Sequence, residues 1–233
     1  MQLLEPHEYV ETDKRRMPYD KVGDYYRSEL DRGISGLQSE VWQNLGPSMV
    51  RVIKDKYTAQ GYISVLDAGC GTGKHLWEML DRDFENCSNV RLTGVSKEDY
   101  SDESEWWMVR AAVTDGTIAY ALADLTVDEL PSESFDAIYS YEVLTHLEDA
   151  ADTALRNFLQ ALAPEGVLFF NASGTQRDQL VATLAEHGGL DYKYASVMPP
   201  VMTQIAEQDL PEDQRQTRDV YMVTKLLTSA LES

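Results

Sequence analysis

Cysteine is nearly missing from this chain of 233 residues: Cys70 and Cys87 are the whole complement. Two thiols build no disulfide framework, which excludes the small cross-linked secreted class and fits a reducing cytoplasm. No apolar run reaches the roughly 20 residues that span a bilayer, so no membrane helix is expected. Met1 to Val10 is polar and lacks the apolar centre of a signal peptide, again pointing to the cytoplasm. Cations are scarce as well. Twenty Lys and Arg stand against forty Asp and Glu, for a formal net charge of −20, and only eight of the twenty are Lys. Such a surface repels phosphate backbones and disfavours nucleic acid as a partner. An acidic, lysine-poor composition fits an ordinary acidic cytoplasmic protein, and equally a salt-adapted one whose self-repulsion is screened. Internal repeats and low-complexity tracts are also absent.

What is present is enough apolar material for a core: 43% of residues are hydrophobic, in a length that suits one α/β domain. Met1 to Pro18 is polar, and Lys14-Arg15-Arg16 is its basic cluster, either a solvated flank or a small patch for RNA. Tyr19 to Leu30 and Leu37 to Tyr57 carry helical spacing, with a turn at Arg32 to Gly36 between them. From Ile63 onward strands and helices alternate. Strands are predicted at 63–68, 90–95, 117–122, 135–140, 167–170, 190–197 and 220–227. Helices are predicted at 74–81, 105–113, 150–162 and 176–187. The stretch from Met198 to Arg218 is too long for a hairpin turn and suits a binding loop. This alternation implies a mostly parallel sheet covered on both faces, with ligands beyond the carboxyl ends of its strands. Residues 1–60 are expected to form an N-terminal helical cap on the same domain, and residues 61–233 its main body.

Four segments at predicted strand ends carry chemistry. In Val65-Leu66-Asp67-Ala68-Gly69-Cys70-Gly71-Thr72-Gly73 a short buried strand runs into a glycine turn and then a helix. Glycine permits positive φ and leaves no Cβ in the way of a ligand, so an adenosyl cofactor can lie against backbone there. The glycine spacing is tighter than the dinucleotide fingerprint G-x-G-x-x-G, and Asp67 would repel a pyrophosphate while suiting a cationic ligand. The end of the second strand offers Ser96, and Glu98 two residues on, where a ribose calls for a carboxylate. Ala123-Asp124-Leu125 follows the third strand. Asp124 suits an exocyclic adenine amine, and it equally suits the N-cap of a following turn. Ser140-Tyr141-Glu142-Val143-Leu144-Thr145-His146-Leu147 follows the fourth strand and should lie over the cofactor. Here Tyr141 is a candidate for lining the ligand, and His146 is either a general base or a packing residue.

Taken together, Val-Leu-Asp67-Ala-Gly-Cys-Gly-Thr-Gly, Ala-Asp124-Leu, Phe135-Asp-Ala-Ile-Tyr-Ser-Tyr-Glu-Val-Leu-Thr-His146-Leu and Leu162-Ala-Pro-Glu-Gly166-Val-Leu resemble the class I S-adenosylmethionine-dependent methyltransferases over roughly Tyr57 to Leu227. The resemblance implies a Rossmann-like seven-stranded sheet with helices on both faces and the last strand antiparallel. It also implies S-adenosylmethionine as cofactor, with contacts at Asp67, Gly69, Gly71, Asp124 and Leu125. Tyr141 would line the methionyl part and Ser96 would stand at the ribose. Tyr19-Asp20-Lys21-Val22-Gly23-Asp24-Tyr25-Tyr26 resembles the cap of small-molecule members, in which tyrosines such as Tyr19 and Tyr26 close over the acceptor; plain helix packing is the alternative. Two departures stand out. Ser96 replaces the usual acid, as in some cyclopropane-forming relatives. Glu142 and His146 fit part of the Glu-x-x-Glu-His pattern of metal-dependent members, but Thr145 removes one carboxylate, so no metal is expected. The expected activity is methyl transfer to a small molecule, with RNA or protein methylation and non-catalytic cofactor binding as alternatives. Oligomeric state is not legible.

Overall fold

The computed structural model describes residues 2–3, 45–46, 48–100, 106–197 and 218–227. In chain order the elements are β1 (Gln2–Leu3), α1 (Met49–Gln60), β2 (Ile63–Ala68), α2 (Lys74–Asp83), β3 (Val90–Ser96), α3 (Trp106–Thr114), β4 (Ile118–Leu122), β5 (Phe135–Ser140), α4 (Ala151–Ala161), β6 (Leu162–Ser173), α5 (Arg177–His187), β7 (Leu190–Val197) and β8 (Arg218–Lys225). The strands form one sheet in the order β1-β4-β3-β2-β5-β6-β8-β7. β2 pairs in parallel with β3 and β5, β3 with β4, and β5 with β6. β8 runs antiparallel to both β6 and β7. The seven expected strands are therefore present with the last one reversed, and Gln2–Leu3 adds a short antiparallel pairing on β4 that the polar flank did not suggest.

Alternation along each strand sorts side chains to two cores. Leu66 and Ala68 of β2 face one side, with Ile138, Phe158, Leu159, Phe170, Leu180 and Leu184. Ile63 and Val65 face the other, with Met49, Ile53, Leu76, Val109, Tyr120 and Tyr139. α4 and α5 thus cover one face, and α1, α2 and α3 the other. The helical spacing of Ala154, Leu155, Phe158 and Leu159 is what makes α4 fit: all four are fully buried. Each large apolar side chain of this kind contributes roughly 1.5–3 kcal/mol through burial.

One predicted helix needs correction. The apolar spacing over 37–57 suggested one continuous helix, but α1 starts only at Met49. Gly46 has φ +133°, outside the right-handed helical region, and the Ser48 hydroxyl accepts from the Arg51 N–H at 3.3 Å as a cap. α1 also runs past Tyr57 to Gln60. It stops where Gly61, at φ +75°, donates its N–H to the Tyr57 carbonyl at 2.7 Å. The sheet order reverses between β2 and β5, so their carboxyl ends border the switch point where such sheets bind ligands.

Candidate active site

The glycine turn leaves β2 and folds back on β3. Gly69 and Cys70 both donate N–H groups to the Val95 carbonyl, at 2.8 and 2.9 Å. Gly69 has φ +91°, and a Cβ there would lie 2.2 Å from Val143 Cγ2, so the segment after β5 presses directly on the turn. Gly71 has φ +53°, and a Cβ built on it meets nothing within 4 Å among the described residues. Among the described residues, the outer side of the turn is therefore bare backbone. Tyr120 of β4 donates its hydroxyl to the Gly71 carbonyl at 2.6 Å. Ser96, at the end of β3, hydrogen-bonds Tyr120 in turn. Ser96 is buried, while Glu98 two residues on is half-buried.

Asp67 is buried at the switch point. Its register partner on β5 is Tyr139, whose hydroxyl donates to Asp67 Oδ2 at 2.9 Å. Burial pushes the Asp67 carboxyl up to about 7, against the Tyr139 hydrogen bond, which acts downward. The His75 ring, in the first turn of α2, sits edge-on to Tyr139 at 4.9 Å between centroids. Burial pushes this imidazole down to about 4, so it is neutral at pH 7.

Beyond β4, Asp124 accepts from Lys97 Nζ at 2.7 Å, from the Thr126 N–H at 3.0 Å and from the Thr126 hydroxyl at 2.6 Å. These bonds, with Lys97 foremost, hold the carboxyl down at about 2, so it stays ionised across the neutral range. Its own N–H donates to Asp128 Oδ2 at 2.8 Å. The capping geometry is thus realised, and the charged acceptor remains partly exposed at the strand end. Leu125 is buried, and Asn157 of α4 donates to its carbonyl at 3.2 Å, which fixes the loop.

Beyond β5, the Ser140 hydroxyl donates to the Ala68 carbonyl at 2.8 Å and ties the two strand ends together. Tyr141 is half-buried. Glu142 adopts φ +57° and is buried. Its N–H donates to Asn171 Oδ1 at 2.6 Å, Asn171 Nδ2 donates back to Oε1, and Arg218 Nε lies 3.3 Å from Oε2. A short 3-10 turn, Leu144–His146, follows. Gln176 Nε2 anchors it by donating to the Leu144 carbonyl at 2.8 Å. His146 is exposed, yet the atoms around its ring push the imidazole below its ordinary value; Glu142 opposes that shift and Arg218 adds to it.

Asp67, Gly69, Gly71, Ser96, Asp124, Leu125, Tyr141 and His146 thus all stand at the carboxyl ends of β2 to β5. Tyr19, Tyr26 and the Lys14–Arg16 cluster lie outside the described residues, as does the connection 198–217. Among the described residues no three His, Cys, Asp or Glu side chains cluster as a metal site. Among them too, no helix is long and apolar enough to cross a membrane. Tyr139, Lys97, Asn171 and Arg218 were not foreseen. Tyr139 carried a signal: like Asp67 it is the penultimate residue of its strand.

Residues 66–170 match the family described as "Methyltransferase domain". An O-methyltransferase, resE, from Aspergillus sclerotiorum is 29% identical over 116 residues, covering 50% of this chain and 42% of that protein. The chain spans less than half the length of that relative. Among solved structures, phosphoethanolamine N-methyltransferase 2 from Haemonchus contortus, in complex with S-adenosyl-L-methionine, superposes with a TM-score of 0.55 at 16% identity, over 76% of this chain and 52% of the other. The [4+2]-cyclase SpnF superposes with the same TM-score and identity over 77% of this chain and 80% of the other. Residues 66–170 thus match the methyltransferase-domain family, and the glycine turn, the strand order and the reversed last strand reproduce the fold of the class I S-adenosylmethionine-dependent methyltransferases.

Proposed function

We propose that the chain transfers a methyl group from S-adenosylmethionine to a small-molecule acceptor in the cytoplasm. The observation that carries this is the outer side of the turn at Gly71, bare among the described residues, together with two carboxyl groups, Asp67 and Asp124, at the ends of the two strands on either side of β3. An adenosyl group can approach the backbone at Gly71 without steric conflict. Asp124, ionised at all working pH values, suits the exocyclic amine of adenine, and Asp67 suits a cationic methionyl end. Ser96 or Glu98 would meet the ribose, and Tyr141 would line the methionyl part. The cofactor supplies an electrophilic methyl on a positively charged sulfur.

The protein's own task is to hold an acceptor in line with that methyl and keep water out. His146 is neutral at pH 7 and exposed over the carboxyl ends, so it suits proton removal from an acceptor whose nucleophile is an alcohol or ammonium group. Glu142 is a poorer base, because its carboxylate is already paired with Arg218 and Asn171. Tyr19 and Tyr26 would complete the acceptor side. The net charge of −20 works against an RNA substrate.

The test is incubation with cofactor labelled in the methyl group and a metabolite extract. Label should appear in a small product and should be lost with His146→Ala for acceptors that must lose a proton. Label confined to RNA or protein would overturn the acceptor assignment. No binding of S-adenosylmethionine or S-adenosylhomocysteine by calorimetry would overturn the whole reading.

A further inference from the structure

We propose that Tyr139 is a positioning residue that holds Asp67 against the cationic methionyl end of the cofactor, and that Asp67 gives up a proton when the cofactor binds. The inference rests on the assignment of the glycine turn to S-adenosylmethionine. Asp67 and Tyr139 are register partners on the two strands that border the switch point, and the hydroxyl reaches across to Oδ2 at 2.9 Å. That bond fixes the orientation of the carboxyl beside the turn.

The groups facing this pair from each packed element carry no positive charge among the described residues. α2 contributes His75, half-buried and neutral against the Tyr139 ring. The turn contributes Cys70, whose thiol burial keeps protonated. β4 contributes Tyr120, engaged with Gly71 and itself kept protonated by burial. On β3 the register partner of Asp67 is Gly94, which has no side chain. Without a cation, burial keeps a large share of Asp67 protonated near neutral pH. Arrival of a cation reverses this balance. The carboxyl O–H bond breaks, the proton passes to the buffer, and the carboxylate pairs with the ligand's charge. His75 and Tyr139 remain neutral throughout. Tyr139 favours the charged form, because its hydroxyl donates to the carboxylate.

The experiment measures S-adenosylmethionine affinity of the full chain by calorimetry between pH 5.5 and 8.5, for the wild type, Asp67→Asn and Tyr139→Phe. The ligand's own α-ammonium titrates near ~7.7–8.0. It does so for every variant, so the ratio of wild-type to Asp67→Asn affinity isolates Asp67. That ratio should climb by up to about tenfold per pH unit below neutrality and level off above it. With Tyr139→Phe the midpoint should move to higher pH, leaving binding several-fold weaker at pH 7 and largely restored at pH 8.5. A second measurement needs no variant: binding at pH 6 in two buffers of different ionisation enthalpy should show release of close to one proton. A constant ratio, an unmoved midpoint in Tyr139→Phe or no proton release at pH 6 would each overturn the inference while leaving cofactor binding intact. Absence of binding at every pH would remove the cofactor assignment as well.

Discussion

Arg218 and Glu142 meet beside the sheet with Arg218 Nε 3.3 Å from Glu142 Oε2 and both side chains buried, although 76 residues separate them in sequence. Arg218 opens β8, and Glu142 stands two residues beyond β5 in a left-handed conformation that is uncommon for non-glycine residues. The pair therefore holds a strained segment, and that segment carries His146. Breaking one side leaves an uncompensated buried charge. Arg218→Met and Glu142→Ala should each cost about 3–5 kcal/mol of stability by denaturant unfolding. The double variant should be closer to the wild type than the sum of the singles, because no lone charge remains.

Two glycines of the turn should respond differently to the same change. Gly69→Ala places a Cβ 2.2 Å from Val143 at φ +91°, so it displaces the segment after β5 and lowers the melting temperature markedly. Gly71→Ala has the strain of φ +53° but no clash among the described residues, at a cost of about 1–2 kcal/mol. It should fold and bind S-adenosylmethionine more weakly, since the new methyl occupies the bare side of the turn. Equal losses of stability in the two variants would contradict this division.

The parts of the fold that read correctly in the sequence are local. Ile63, Val65, Leu66 and Ala68 alternate between two cores, Ala154 to Leu159 form one helical face, and the glycine turn announces itself by composition. What escaped depends on which strands lie side by side. The bond from Tyr139 to Asp67 exists only because β5, fourth among the seven main strands, pairs with β2, the first. Arg218 reaches Glu142 only because β8 inserts between β6 and β7. The helix expected over 37–57 is realised from Met49 onward, residues 37–44 lie outside the described residues, and its continuity breaks for a local reason: apolar spacing continues through Gly46, where the backbone leaves the helical region. Asp124 shows that one residue type can satisfy two readings, since the same carboxylate that caps Thr126 still presents charge at the strand end.

Asp124 should contribute to stability on the acid side. Its carboxyl is held at about 2 in the folded protein against an ordinary 3.8, first by Lys97 and then by Thr126. A lowered value means stability that is full above about pH 4 and lost as the pH falls toward 2. Lys97→Met removes the main cause, so the titration of Asp124 should move up toward its ordinary value. This is readable by NMR of the carboxyl carbon, with acid unfolding beginning at higher pH. An unchanged titration would mean that Thr126 alone holds the charge.

A net charge of −20 predicts a melting temperature that depends on salt. Self-repulsion at 0.01 M salt acts over about 30 Å, and at 1 M over about 3 Å. Stability should therefore rise between these limits. A salt-adapted protein should gain several degrees and keep gaining into the molar range. A curve that stays flat would assign the acidity to an ordinary acidic surface.

Asp67 should reduce the stability of the cofactor-free protein at alkaline pH. Its carboxyl titrates near about 7 in the folded state and near 3.8 as a free side chain, the opposite displacement from Asp124. The folded state therefore holds a proton that the unfolded state has already lost. The contribution is intact below the ordinary value and declines as the pH rises from about 4 through 7. By pH 8 the folded state is disfavoured by up to ~4 kcal/mol, at 1.36 kcal/mol per pKa unit. Asp67→Asn removes the ionisation while keeping the shape and the hydrogen bond from Tyr139. Its melting temperature should exceed that of the wild type at pH 8 and converge with it near pH 4. A saturating concentration of S-adenosylmethionine should reverse the order at pH 8, because only the wild type offers a carboxylate to the cation. A melting temperature for Asp67→Asn at or below the wild type at pH 8, without cofactor, would mean that the buried carboxyl is stabilised as an anion by a charge the described residues do not contain.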